Sequence, residues 1–464
     1  MRVRTADGEA FETEFPVVIV GGGACGLTAA LALRGAGLAA LVLEQDSPPA
    51  GSTALSSGFI PACATRWQQE RGVEDTTELM AGDIQEKARH LADPAIVDLC
   101  CRRSAPTLEW LAAKHGIPFV LVEGFLYTGQ RRTRMHAVPE RTGAALMARL
   151  LVAAEAAAAD ILCGALVREL FADRGGRVLG VGYERPDGAL ERVGCKALIL
   201  ACSGFGGNRD MVRHHIPEMA EAEYFGHAGN RGDAILWGEA LGAEARHMGA
   251  YQGHASVAVP HGILITWAVM REGGIQVNTE GKRFADESRG YSEHSVDVLD
   301  QPGGAVWNIY DSRIHALAME FEDYRQAETA GAVQTAANEA ALARSLGLPE
   351  AALHETLAHT RSSAESEGRD NLGRRFEGKP ALAPPYYAVK VGAALFHTQG
   401  GLAIDTSARV LRKQDGTLPN LFAGGGAACG VSGPEVWGYS SGNGLLTAVM
   451  LGRVAGESAA ALVS

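Results

Sequence analysis

The stretch Pro16–Gln45, PVVIVGGGACGLTAALALRGAGLAALVLEQ, constrains this chain most. Val17 to Val20 is a short apolar run rich in β-branched residues, which suits a strand buried on both faces. Gly21-x-Gly23-x-x-Gly26 follows. Leu27 to Leu33 has helical composition, ended by Gly35 and Gly37. Leu38 to Leu43 reads as a second strand, closed by Glu44, 23 residues after Gly21. This order of strand, glycine turn, helix, strand and acid is that of a dinucleotide-binding unit. Gly21 permits the turn, Gly23 lets backbone approach a pyrophosphate, and Gly26 brings helix and strand together. The helix N-terminus offers free N–H groups to the phosphates. Glu44 is placed to accept from ribose hydroxyls, which favours FAD or NAD over NADP. The motif does not separate those two.

A chain of 464 residues predicts two or three domains. A net charge of −12 without a basic run argues against nucleic acid and anionic membranes as partners. No unbroken apolar run reaches ~18 residues, so no transmembrane segment is expected. The N-terminus lacks the apolar core of a signal peptide. Eight cysteines without a CxxC pair read as reduced thiols of a cytoplasmic protein, and no Cys/His set has metal spacing. Cys25, inside the nucleotide turn, reads as a small filler.

Residues 46–62, DSPPAGSTALSSGFIPA, read as a loop whose hydroxyls and amides could line a cofactor. Residues 76–115 read as two helices split near Asp93-Pro94, and 143–158 as an Ala-rich helix. Leu162 to Leu200 reads as a small antiparallel sheet with turns at 174–176 and 186–188. Residues 250–400 differ in character, with irregular glycine-rich strands, a helix-rich stretch near 329–365, and a loop at Pro384-Pro385-Tyr386-Tyr387. The dinucleotide-fold character returns at LFAGGG (421–426) and at Gly442-Asn443-Gly444, which opens an apolar helix. A segment is therefore inserted within the first domain.

The motifs VVIVGGGACGL, GSTALSSG, LILACSGFGGN, GIQVNTEGKRFADES, PPYYAV, HTQGGLAID, LPNLFAGGGAA and GYSSGNGLL span nearly the whole chain. Together they resemble the FAD-dependent family of soluble fumarate reductases, succinate dehydrogenase flavoprotein subunits and 3-ketosteroid 1-dehydrogenases. The resemblance implies an α/β fold with an α+β cap. A Rossmann-like FAD-binding domain is split into 1–250 and 399–464 by a substrate-capping domain at 251–398. It makes the nucleotide FAD. The residues it implies for FAD are Gly21, Gly23, Ala24, Cys25, Gly26, Glu44, Gln45, Ser52, Thr53, Ser56, Ser57, Gly58, Val167, Ala201, Ser203, Gly204, Gly425, Gly426, Gly442, Asn443 and Leu445. The loop Ser47 to Ser57 has no histidine of the kind that carries covalent flavin in succinate dehydrogenases, so non-covalent FAD is expected.

The same resemblance frames the reaction. Soluble fumarate reductases hold a dicarboxylate with arginines. One lies four residues after the Glu of RFADES, here Glu287, where this chain has Tyr291. Another lies four residues before the closing GN asparagine, here Asn443, where this chain has Tyr439. In 3-ketosteroid 1-dehydrogenases both places are tyrosines, one taking the α-proton and the other bonding the ketone oxygen. The chemistry agrees: a dicarboxylate needs the fixed charge of Arg, whereas a neutral ketone needs a donor toward its developing enolate. Singly, either tyrosine reads equally well as an amphipathic packing residue. Two features depart from the ketosteroid pattern. Ser440-Ser441-Gly442-Asn443 replaces a proline-rich segment, and His397 in HTQGGL follows the fumarate reductases, where such a His meets a carboxylate. It reads alternatively as a hinge residue bonded to backbone. Arg131, Arg132 and Arg134 read as a solvated basic cluster.

The resemblance thus implies a dehydrogenase of a cyclic ketone: a cyclohexanone, an oxo-cyclohexanecarboxylate or a 3-ketosteroid. Tyr291 takes the α-proton, Tyr439 polarises the carbonyl with help from Gly442, and Tyr127 and Tyr387 are candidate relays. Quinone, oxygen or another small acceptor would reoxidise the flavin. Two alternatives stay open: a fumarate reductase-like enzyme reducing an unsaturated dicarboxylate or enone, and a non-catalytic flavin-binding protein.

Overall fold

The computed structural model describes residues 2–6, 10–124, 126–127, 129–366, 368–376 and 378–464. The backbone forms two compact units, one made of Met1–Pro217, Gly226–Tyr251 and His397–Ser464, the other of Glu218–Phe225 and Gln252–Phe396.

The first unit is built on a nine-stranded sheet among the described residues. At its centre the strand Glu14–Val20 runs parallel to Ala40–Leu43 on one side and to Leu190–Leu200 on the other. Thr417–Ala423 extends the sheet parallel to Leu190–Leu200, and Asp160–Leu162 extends it beyond Ala40–Leu43. Val17, Val18 and Ile19 are wholly buried, as the continuous apolar run requires. The predicted antiparallel sheet is present as Leu166–Ala172, Val178–Glu184 and Leu190–Leu200. It is not separate: its third strand runs on into the parallel centre, because Ala197–Leu200 is apolar on both faces. The loop 46–62 contains a short helix, Gly51–Ala54. The helix after the first strand is Ala24–Gly35, and each of its buried leucines contributes roughly 1.5–3 kcal/mol.

The closing helix, Asn443–Val463, lies against Ala24–Gly35. A Cβ added at Gly452 would sit 2.4 Å from the Cys25 carbonyl oxygen, and one at Gly456 2.5 Å from that of Ala29. Glycine at both places lets the backbones approach this closely. By length and composition alone this helix is long and apolar enough to cross a membrane; 61% of its apolar window is buried inside the protein, as in a core helix.

The second unit is a seven-stranded sheet among the described residues, centred on the 13-residue strand Tyr386–Thr398 and flanked by Ala305–Asp311, Tyr251–Ala258 and Val333–Ala336. The expected loop at 384–387 therefore ends at Pro385. Proline lacks the donor a ladder needs, and the β-prone YYAVKV that follows supplies the strand. The stretch 329–365 is helical as expected at Glu339–Leu346 and Glu350–Ala364, but Val333–Ala336 within it is a strand.

Candidate active site

In the first unit the glycine turn opens onto a cavity that is partly open to solvent. Gly21 has φ +105°, and a Cβ there would sit 2.5 Å from the Ala201 carbonyl. A Cβ at Gly26 would sit 1.9 Å from the Gly21 carbonyl, so helix and turn touch at that point. Gly23 differs: its nearest neighbour would be Thr53 Oγ1 at 3.6 Å, leaving room for a ligand. Of the expected FAD residues, Gly21, Gly23, Ala24, Cys25, Glu44, Gln45, Ser52, Thr53, Val167, Ala201, Ser203, Gly425 and Gly426 line the cavity together. Glu44 already accepts from the Gly22 N–H at 2.6 Å and the Asp46 N–H at 2.9 Å. Each oxygen keeps a lone pair for a hydroxyl. Burial raises the Cys25 thiol to about 12, which suits packing and not nucleophilic chemistry.

Ser56, Ser57 and Gly58 do not line this cavity. Ser56 locks the loop, donating to the Thr53 carbonyl at 2.7 Å and accepting from the Gly58 N–H at 3.1 Å. Gly204 packs on Thr398 Oγ1. Sequence reasoning missed Asp233 and Trp237, which also line the cavity and whose Oδ1 and Nε1 are buried without partners. Burial pushes the Asp233 carboxyl up. Two orphaned polar atoms, an acid with spare lone pairs and the space at Gly23 fit the polar dinucleotide half of FAD. The signal available was Gly232, left-handed at φ +80°, directly before Asp233 at a helix start.

Gly442, left-handed at φ +85°, precedes the closing helix, and Asn443 and Leu445 lie in its first turn. Tyr439 is buried beside it, its ring edge-on to His397 with centroids 5.6 Å apart. A Cβ at Gly444 would meet His397 Nε2 at 2.8 Å. His397 Nδ1 accepts from Gln399 Nε2 at 2.8 Å, and burial pushes this imidazole down to about 4, so it is neutral at pH 7. Tyr127 packs edge-on against Phe59. Nearby, Gln130 Nε2 donates to the Ser441 carbonyl at 3.2 Å, which sets the Tyr127 segment against the turn that opens the closing helix.

In the second unit Tyr291 stacks on His254 at 4.7 Å, and His254 stacks in turn on Phe396 at 5.2 Å. His254 was missed in the sequence. Burial holds it near 3, its Nδ1 accepts from the Ser256 N–H at 3.2 Å, and its remaining proton is on Nε2. Tyr387 stacks instead on His315 at 4.1 Å, beside Tyr310. It lies nine residues before Phe396 on one strand, roughly 30 Å away. That distance takes it out of reach of Tyr291 as a relay.

Three arginines near these motifs, Arg134, Arg283 and Arg374, are paired with carboxylates, whereas Arg89 stacks on the Trp437 ring. Glu287 accepts from Arg283 at 2.6 Å and Arg374 at 3.0 Å, and these charges hold it well below the usual carboxylate range against the opposing effect of burial. Arg134 is not a solvated surface residue as expected. It is buried between Asp75 and Asp83, at 2.6 and 2.5 Å, while Arg131 pairs with Asp83. No group of three or more metal-binding side chains occurs among the described residues.

A family model described as FAD binding domain matches residues 16–445. A probable fumarate reductase of Shewanella frigidimarina (strain NCIMB 400) is 29% identical over 96% of this chain and 74% of its own length. The 4-oxocyclohexanecarboxylate 2-dehydrogenase of Sinomonas cyclohexanicum is 24% identical over 89% of this chain and 87% of its own. The solved 3-ketosteroid-Δ4-(5α)-dehydrogenase of Rhodococcus jostii RHA1 superposes with a TM-score of 0.79 at 26% identity, covering 99% of this chain and 100% of that one. The chain belongs to the FAD binding domain family and is an FAD-dependent oxidoreductase of the fumarate reductase and ketosteroid dehydrogenase group.

Proposed function

We propose that this enzyme desaturates a cyclic ketone between its α- and β-carbons, with FAD bound non-covalently. The observation that carries this reading is neutrality. Tyr291 and Tyr439 stand where dicarboxylate enzymes place arginines, and His254 and His397 are neutral donors. Arg134, Arg283 and Arg374 are paired with Asp or Glu, and Arg89 stacks on Trp437. A neutral carbonyl needs donors of this kind, and a dicarboxylate needs fixed cations.

FAD supplies the acceptor for the hydride that leaves the β-carbon. The Tyr291 phenolate takes the α-proton and becomes the phenol. The Tyr439 hydroxyl donates to the carbonyl oxygen as negative charge gathers on it, with the N–H of Gly442 or Gly444 as a second donor. Burial around Tyr439 excludes water and strengthens the bond. The Sinomonas relative, which acts on an oxocyclohexane ring, supports a single-ring substrate. A quinone, oxygen or another small acceptor would take the electrons.

The Shewanella relative favours a second reading, reduction of an unsaturated dicarboxylate or enone. Anaerobic mixing separates the two. Saturated cyclic ketones should bleach the yellow flavin while succinate leaves it coloured. Rapid reoxidation of the reduced enzyme by fumarate would sink the ketone reading. Acid precipitation should release FAD to the supernatant; yellow colour retained in the washed pellet would show a covalent link.

A further inference from the structure

Buried polar side chains of the first unit run in single file from the closing helix to the His397 ring. Asn443 Nδ2 donates to Ser432 Oγ at 3.0 Å, Ser432 Oγ donates to Gln399 Oε1 at 2.8 Å, and Gln399 Nε2 donates to His397 Nδ1 at 2.8 Å. Asn443, Ser432 and Gln399 are 1%, 1% and 5% exposed. The Gln399 backbone is pinned on both sides: its N–H donates to the Ala250 carbonyl at 2.7 Å, and its carbonyl accepts from the Gly430 N–H at 2.8 Å. In such a dry setting each bond is strong, and a broken link leaves an orphaned polar group.

The direction of this chain has a chemical consequence. A neutral imidazole carries one ring proton, so a ring whose Nδ1 accepts must hold that proton on Nε2. The Cε1–Nε2 edge of the ring, not Nδ1, borders the first turn of the closing helix at Gly444, with the Tyr439 ring edge-on beside it. There is a competitor. The Thr398 carbonyl lies 3.3 Å from Nδ1 and would draw the proton to that side. Nε2 would then be an acceptor, which repels an enolate oxygen. The amide at 399 decides between the two forms.

We propose that Gln399 is a positioning residue that keeps His397 as the Nε2–H tautomer, so that His397 and Tyr439 together offer two neutral donors to the substrate's carbonyl oxygen; this rests on the ketone reading above. Burial supports it by keeping the ring uncharged. A glutamine suits the task because its amide donates to Nδ1 without adding charge. A carboxylate there would accept from Nδ1 and favour an imidazolium, which suits an anionic ligand.

The test uses FAD-loaded protein carrying ring-¹⁵N histidine, with the His397 signals assigned by their loss in His397→Gln. The expected spectrum has a protonated Nε2 and a bare Nδ1. Gln399→Met keeps the chain length and removes the donor. Its proton should move to Nδ1, and flavin reduction at saturating ketone should slow roughly 10–100-fold, with ketone affinity changed less than about threefold. Ser432→Ala breaks the next link and should give the same changes in weaker form; it serves if Gln399→Met fails to hold FAD. An Nδ1–H signal in the wild-type protein overturns the proposal. So does a Gln399→Met enzyme within about threefold of wild type in rate, or a loss confined to affinity. If no ketone bleaches the wild-type flavin, the ketone reading fails by itself; the ring spectra still judge Gln399, and an unmoved Nε2–H signal in Gln399→Met overturns its role.

Discussion

The two tyrosines differ in what each would lose on removal of one oxygen. Tyr291→Phe keeps the ring that stacks on His254, so the pocket should survive while the base is lost. Flavin reduction by ketone should fall roughly 10²–10⁴-fold with little change in affinity. Tyr439→Phe removes a donor to the enolate oxygen and should cost on the order of 10²–10³-fold. It should also weaken a phenol-type inhibitor whose oxygen mimics the enolate. Stopped-flow reduction checks both, and a Tyr291→Phe enzyme within a few-fold of wild type would return that residue to packing. At this scale legibility divides by kind of signal. Tyr291, Tyr439 and His397 could be proposed from sequence because they sit at fixed offsets within motifs, Tyr291 from the Glu of RFADES and the other two beside glycines. His254 could not, because a lone His in a strand has no offset to betray it, and Gln399, although inside HTQGGL, gives no sign in sequence of which atom it bonds. Their roles come from a ring stack and a hydrogen-bond chain that only folding assembles.

At the scale of elements, the strand–turn–helix unit was readable nearly to its ends, because each glycine answers a steric demand of its own. Those demands make opposite predictions. Gly23→Val fills open space and should give a folded protein that holds no FAD. Gly26→Ala drives a methyl to 1.9 Å from the Gly21 carbonyl and should lower the thermal midpoint or prevent folding. Absorbance at the flavin band and a melting curve separate the two, and a Gly23→Val protein still yellow would show that the turn is not the phosphate cradle. The strand Tyr386–Thr398 was misread at its start because paired prolines dominate local propensity, while the ladder on either side of the strand decides the structure.

For the whole molecule, buried neutral histidines set an acid limit. His136 lies in the interior, its Nδ1 donating to the Arg134 carbonyl at 2.8 Å and its Nε2 accepting from Thr65 Oγ1 at 2.9 Å. Burial pushes it down to about 4, as it does His397, and His254 to about 3. In the unfolded chain each titrates near 6.5. The unfolded state therefore binds more protons between these values. The stabilisation is fully present above about pH 6.5 and is lost as pH falls toward 4, by on the order of 3 kcal/mol for His136. The thermal midpoint should drop across that window, ahead of carboxylate protonation. His136→Gln should flatten the drop, and an unchanged slope would show that His136 does not report there. The two-unit layout was foreshadowed by the return of glycine-rich strand and helix patterns after residue 400. The full reach of the closing helix was not, because Arg453 and Glu457 interrupt its apolar run. That helix also sets a clock for biosynthesis. Its Gly452 and Gly456 seat on the helix at 24–35, so the N-terminal helix leaves the ribosome about 400 residues before its partner exists. At ~5–20 residues per second this is roughly 20–80 s during which the face that meets the closing helix stays uncovered. The nascent chain is then a natural client for a holdase, and flavin loading belongs after translation.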